Sequence, residues 1–82
     1  MNKEQIIEKL NLIFKEVFED DNLLINEFTM LKDIPNWESL SHMILIVEIE
    51  NKFNMVFSST ESIEVISVSQ IINLILSKKQ ID

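Results

Sequence analysis

The chain has 82 residues, enough for one modest hydrophobic core but too few for a core with an enclosed catalytic cleft. Its 14 Asp and Glu outnumber its 7 Lys, and the net charge of −7 repels nucleic acid and anionic membranes while favouring partners with basic surfaces. Cysteine and glycine are absent, which excludes disulfides, thiolate chemistry, Cys-ligated metals and glycine-rich phosphate loops.

The N-terminus lacks the features of a signal peptide, because its first residues carry charge directly into an amphipathic pattern. The longest purely apolar run, Met43 to Val47, has five residues and is too short to span a bilayer. We therefore expect a cytoplasmic, monomeric protein that binds neither membranes nor nucleic acid.

Helix one is predicted from about Lys3 to Phe18. Asn2 and Gln5 have the spacing of a capping pair, and charged residues fall largely on the side opposite the apolar ones. The apolar residues recur at helical spacing, which predicts one buried face: Ile6, Leu10, Ile13 and Val17, flanked by Ile7, Phe14 and Phe18.

A long connection follows helix one, beginning at the acidic cluster Glu19-Asp20-Asp21. Negative charge at a helix C-terminus opposes the helix dipole, so the helix is expected to end there. Apolar residues continue through the connection, which predicts a loop that packs on the core and contains a helical turn: Leu23, Leu24, Ile25, Phe28, Met30 and Leu31.

The segment around Pro35 stops one element and starts the next. Pro35 pushes Ile34 out of the helical region, and Asn36 tolerates a left-handed backbone or can cap a helix. Glu38 then places negative charge beside the free N–H groups of the next helix. Ser39 is therefore predicted in its first turn with an exposed hydroxyl, where a phosphate is well accommodated. On position alone, a serine in the first turn of a helix is usually only a cap.

Helix two, Ser41 to Phe53, is the most apolar element of the chain. The run from Ile44 to Val47 would also suit a buried strand, but the element is about fifteen residues long and no second strand could pair with it. A helix with so little polar surface is either central to the bundle or partly reserved for a protein partner.

Two further helices are predicted after the loop that ends at Phe57. A short third helix runs from about Thr60 to Val65 with Ile63 facing inward, and Ser67 with Gln70 forms a capping box that opens helix four. The polar tail after Lys79 is expected to fray. The inward face of helix four is predicted to be Val68, Ile71, Ile72 and Ile75.

The predicted fold is therefore all-α, a small four-helix bundle in a single domain over residues 1–82. It has three principal helices, one short helix and a long loop between helices one and two.

An enzyme reading of this sequence fails on geometry. Glu38, Ser39 and His42 lie within one helical turn, but a catalytic triad needs the imidazole between the serine and the carboxylate. Glu38 and His42 at i,i+4 spacing form only a weak two-ligand metal signal. We expect no catalytic residues and no metal site, with His42 exposed or against Trp37, and Trp37 as a plug under the loop.

The order of elements and the segment Asp33-Ile34-Pro35-Asn36-Trp37-Glu38-Ser39-Leu40-Ser41-His42 resemble an acyl carrier protein over nearly the whole chain. Ile49-Glu50-Asn51-Lys52-Phe53, which closes helix two, and the spacing from Phe53 to Phe57 before the short helix fit the same family. The attachment motif of that family is Asp-Ser-Leu, and this chain has Glu38-Ser39-Leu40.

The resemblance implies that Ser39 binds the cofactor, since a phosphopantetheinyl transferase would attach 4′-phosphopantetheine there. The arm would then carry an acyl or aminoacyl group as a thioester, loaded by a ligase and delivered to acyltransferase or synthase enzymes with basic docking surfaces. Such a carrier is not an enzyme. The resemblance also implies a partner-binding surface made of Glu38, Leu40, Met43, Ile44, Val47 and Glu48.

Two positions depart from the family pattern. Glu38 replaces the usual aspartate, and Met43-Ile44 places apolar residues where housekeeping fatty-acid carriers commonly show acidic character. With Trp37 and His42, these departures favour a carrier of a dedicated pathway. The alternative from a different class is a non-modified helical adaptor that binds a protein through helix two, with Ser39 serving only the helix start.

Overall fold

The computed structural model describes residues 1–80, and these form the predicted all-α bundle. Its helices are α1 (Lys3–Val17), α2 (Ser39–Phe53), α3 (Ser59–Glu64) and α4 (Val68–Gln80), with a 3₁₀ turn at Leu31–Asp33. None of the helices in this range is both long and apolar enough to cross a membrane. The expected fraying of the tail concerns Ile81 and Asp82, which lie outside the described residues.

Helix α1 begins where the capping pair predicts. The Gln5 backbone N–H donates to Asn2 Oδ1 at 2.9 Å, and the Asn2 N–H donates to Gln5 Oε1 at 3.0 Å. This reciprocal pair satisfies two N–H groups that the first turn leaves free. The predicted end at Phe18 is one residue late, since Phe18 is the cap that follows Val17. The buried residues of α1 are Ile6, Leu10, Ile13 and Phe14, whereas Val17, predicted on the same face, is only partly buried.

Helix α2, and not a strand, forms from the run Ile44 to Val47, and it starts at Ser39, two residues before the predicted Ser41. One side of the helix is buried, chiefly against α1, and contributes Leu45, Ile46, Ile49 and Phe53 to the core. Each such side chain stabilises the fold by about 1.5–3 kcal/mol. The helix ends at Asn54, whose left-handed φ of 54° takes the place of the glycine that usually stands after a helix.

The long connection packs on the core only in part. Ile25, Leu31 and Ile34 are buried, and the predicted helical turn is the 3₁₀ turn. Leu24 and Phe28, expected on the core, are instead 78% and 81% exposed. The reason is a polar turn at Asn26, whose side-chain oxygen accepts from the Phe28 N–H and whose own N–H donates to Thr29 Oγ1. These local bonds determine the direction of the backbone, so Phe28 projects outward.

The connection is tied to the segment before α4 by backbone hydrogen bonds. The Leu31 N–H donates to the Ile66 carbonyl and the Val68 N–H donates to the Thr29 carbonyl, each at 3.0 Å. Helix α4 then buries the predicted face: Val68, Ile71, Ile72 and Ile75.

Helix α3 is rotated relative to the sequence prediction. Ile63 was expected inward but is 74% exposed, and the buried residue is its neighbour Ser62 at 8%. The capping box at Ser58 and Glu61 starts the helix one residue earlier than predicted. Ser62 tolerates burial because its hydroxyl donates to the Ser58 carbonyl at 3.0 Å.

Candidate functional site

The first turn of α2 projects Ser39 into solvent, as predicted from the sequence. Asn36 adopts a left-handed backbone with φ of 69°, which turns the chain after Pro35. Glu38 is extended, with φ of −156°, and is the N-cap. Ser39 is therefore the first helical residue and is exposed. The free N–H groups of this turn make a favourable position for an anion attached to the Ser39 hydroxyl.

Ser41, not Ser39, makes the side-chain hydrogen bonds at this helix start. The Glu38 N–H donates to Ser41 Oγ at 2.8 Å, and that hydroxyl in turn lies 3.1 Å from the carbonyls of Asn36 and Glu38. Within residues 1–80, the Ser39 hydroxyl takes part in no hydrogen bond. The Ser39 hydroxyl therefore has no capping role at this helix start.

A groove lies beside Ser39, between the start of α2 and the segment around α3. Its volume is about 470 Å³. Trp37 and Ile66 also line a smaller neighbouring cavity of about 260 Å³, next to the 3₁₀ turn. The larger groove is mainly apolar and is lined by Trp37, Glu38, Ser39, His42, Met43, Ile63, Val65 and Ile66.

His42 forms the floor of this groove and is only 8% exposed, so the prediction that it lies against Trp37 is confirmed and the prediction that it is exposed is wrong. Trp37 Nε1–H donates to His42 Nδ1 at 3.2 Å, and the rings meet edge to face, 5.8 Å apart. Since Nδ1 accepts, the ring proton resides on Nε2, which donates to the Ser62 carbonyl at 2.8 Å.

The hydrogen bonds of His42 also bear on whether it could belong to a catalytic triad or a metal site. Both ring nitrogens are engaged by Trp37 and Ser62, so neither is free to take the proton of Ser39 or to bind a metal with Glu38. Across the described part of the chain, no group of three or more His, Cys, Asp or Glu could hold a metal ion. Trp37 packs against the core as the predicted plug.

The outward side of α2 carries the predicted partner-binding residues. Leu40, Met43, Ile44 and Val47 are between 46% and 67% exposed, Glu38 is exposed and Glu48 is partly buried. Across the groove, Ile63 and Ile66 extend the apolar surface. These two residues are not among the predicted site residues. Ile63 is predicted to face inward, and no local signal distinguishes it from its neighbour Ser62 as the outward residue.

No protein-family model matches the chain, and no curated protein matches it. Among solved structures, the chain is similar to the solution NMR structure of the holo acyl carrier protein from Geobacter metallireducens. The two chains are 34% identical, with a TM-score of 0.78, and the match covers 90% of this chain and 88% of the other. The chain belongs to the acyl carrier protein family. In this acyl carrier protein, the groove and the free hydroxyl of Ser39 lie together at the first turn of α2.

Proposed function

We propose that this protein carries an acyl or aminoacyl group as a thioester on a 4′-phosphopantetheine arm bound to Ser39 Oγ. The observation that carries the proposal is the exposed Ser39 hydroxyl, which makes no hydrogen bond within residues 1–80, in a chain of the acyl carrier protein family. The neighbouring N–H groups of α2 suit the phosphodiester that would join the arm to the serine. The arm, when bound, supplies the thiol that this cysteine-free chain lacks.

The attachment needs a partner enzyme, because a serine hydroxyl is a weak nucleophile and His42 is occupied elsewhere. We propose a phosphopantetheinyl transferase that provides the base and Mg²⁺. Ser39 Oγ would attack the phosphorus that bears pantetheine in coenzyme A. The new O–P bond forms as the pyrophosphate P–O bond breaks, 3′,5′-ADP leaves, and the hydroxyl proton passes to the transferase.

The docking surface that we propose is the outward side of α2. Leu40, Met43, Ile44 and Val47 offer a half-exposed apolar strip, and the flanking carboxylates of Glu38 and Glu48 suit basic partner surfaces. The transferase, a loading ligase and an acyltransferase or synthase would use it in turn. Tethering keeps the cargo near each docked enzyme and so raises its effective concentration. We propose that these encounters take place in the cytoplasm.

The experiment is intact-protein mass spectrometry after incubation with coenzyme A, Mg²⁺ and a broad-specificity phosphopantetheinyl transferase. We expect the wild type to gain one phosphopantetheinyl group and Ser39→Ala to gain none. Ser41→Ala is the matched control, because it removes a second serine hydroxyl from the same helix start and should still be modified. Modification of Ser39→Ala, or failure of the wild type with the transferase of its own source, would contradict the proposal.

A non-modified adaptor is the second candidate, and the half-exposed apolar strip on α2 is the observation that favours it. The adaptor would use this strip to bind a protein and would leave the Ser39 hydroxyl without a role. The two functions differ in their response to Ser39→Ala. An adaptor keeps its full affinity for its partner, whereas a carrier loses activity while its helical content, measured by circular dichroism, is unchanged.

A further inference from the structure

The junction between α2 and α3 is unusually polar for the interior of this protein. Within the described range, His42 and Ser62 are the two buried polar residues, each 8% exposed, and the His42 ring contacts the Ser62 carbonyl. Both lie beside the groove that Ser39 lines. A helix of six residues is too short to be stable by itself, so the position of α3 depends on such contacts.

No apolar side chain within α3 itself is buried, although Phe57 before the helix and Val65 after it belong to the core. Ile63 points outward, so the polar Ser62 is the buried residue of the helix itself. Two polar contacts join α3 to its neighbours. Glu61 pairs with Lys78 of α4 at 3.0 Å, and the Ser62 carbonyl accepts from His42 of α2 at 2.8 Å. That carbonyl is among the last four of α3, which lack a partner within the helix. His42 therefore satisfies a helix end and joins α3 to α2.

The second bond of His42 extends the connection to Trp37. Nδ1 accepts from the indole N–H at 3.2 Å, so one imidazole ring connects the loop before α2, the first turns of α2 and the end of α3. Only the neutral ring with its proton on Nε2 can make both bonds, because Trp37 can only donate and a carbonyl can only accept. Ser39 lies three residues before His42 on the same helix.

We propose that His42 is a positioning residue for Ser39: its neutral Nε2–H ring holds Trp37 and α3 against the start of α2, so the groove is formed before a partner binds. Ile63, Val65 and Ile66 line the far side of the groove. Val65 is held in the core and Ile66 by its carbonyl bond to Leu31, so the bridge acts on the position of Ile63 in α3. A carrier without the bridge spends part of its time with α3 displaced. The apparent KM of a transferase then rises by the inverse of the fraction that remains competent.

The kinetic test measures transferase loading of Ser39 at varied carrier concentration and rests on the proposed function. His42→Leu is apolar and can make neither hydrogen bond, whereas His42→Gln retains one acceptor and one donor. We expect His42→Leu, which removes both hydrogen bonds, to lower the competent fraction to between about a half and a tenth, and so to raise KM about two- to tenfold with kcat unchanged. His42→Gln should recover most of this loss. Ile71→Val, a remote core variant, controls for general destabilisation and should leave KM unchanged.

The proposal is overturned if His42→Leu leaves KM unchanged, if Ile71→Val raises it equally, or if His42→Gln is as impaired as His42→Leu. A second measurement uses the wild-type protein alone, without variants or a transferase. In the ¹⁵N-labelled wild-type protein, the ring nitrogen shifts of His42 should show a protonated Nε2 and an unprotonated Nδ1. The opposite tautomer, or rapid exchange between the two, overturns the bridge. Failure of Ser39 loading with the Nε2–H tautomer present would instead contradict the proposed function alone.

Discussion

Helices α2 and α3 form opposite sides of one groove but are held in place by different forces. In α2, apolar burial dominates, with Leu45 and Ile49 fully buried in the core. In α3, the cap, an ion pair and the contact with His42 hold the helix in place, and the buried residue of the helix is Ser62. The two sides of one groove can therefore differ in how firmly they are held in the fold. The element that carries Ser39 is anchored in the core, and the element facing it rests on polar contacts.

The starts of α2 and α3 also differ in the role of their serine. In α3, the Ser58 hydroxyl is used by the cap, since it accepts from the Glu61 N–H at 3.0 Å. In α2, the N-cap position holds Glu38, and Ser39 stands one residue further on. An offset of one residue therefore separates a serine that serves the backbone from a serine that is free for chemistry.

The largest expected effect concerns the core contacts of the two helices. Ile49→Ala should lower the free energy of unfolding by about 2–5 kcal/mol, because a fully buried side chain leaves a cavity. Ile63→Ala should change it by less than about 0.5 kcal/mol, because Ile63 faces solvent. Urea unfolding followed by circular dichroism measures both. Comparable losses in the two variants would mean that α3 is rotated from the position described here.

An intermediate effect on stability is expected at Ser58 but not at Ser39. Ser58→Ala removes the cap of α3 and should lower the free energy of unfolding by about 0.5–2 kcal/mol while leaving phosphopantetheinylation of Ser39 intact. Ser39→Ala should change it by less than about 0.5 kcal/mol and abolish the modification. Urea unfolding and intact mass of both variants provide the readouts. If Ser39→Ala is as destabilising as Ser58→Ala, then Ser39 also supports its helix start, and the contrast between the two serines is wrong.

The smallest effect concerns the charge at the start of α3. The Ser58 N–H bond and, next, Lys78 lower the pKa of Glu61 below its ordinary value of 4.5. A lowered pKa means that the folded state favours the carboxylate. Its stabilisation is therefore complete above pH 4.5 and is lost as the pH falls through the folded-state pKa.

Glu61→Gln keeps an oxygen that can accept from Ser58 but removes the charge, so it tests this contribution. The variant should have a lower urea midpoint than the wild type at neutral pH, and the difference should shrink in acid, below the folded-state pKa. Lys78→Gln, which removes the partner charge, should show the same trend. A difference that stays constant across this pH range would show that the carboxylate charge does not support α3.

Local signals in the sequence were sufficient for the start of α1 and for the break before α2. Asn2 with Gln5 predicted the start of α1, and Pro35 with Asn36 predicted the break that exposes Ser39. These features depend on residues within one turn of each other, so the chain encodes them without reference to the rest of the fold. It was harder to predict which apolar residues face the core, since this depends on contacts between distant parts of the chain. Phe28 is apolar but projects outward, because the polar turn at Asn26 directs the backbone there.

The sequence by itself determined an all-α bundle, the buried faces of α1 and α4, and an exposed serine at the start of α2, because helical periodicity and capping act over a few residues. Only the tertiary structure decided that Ser62 and not Ile63 faces inward, and that His42 is buried between Trp37 and α3. Each of these positions depends on a partner many residues away. Burial of a polar group is stable only where such a partner is present to satisfy it.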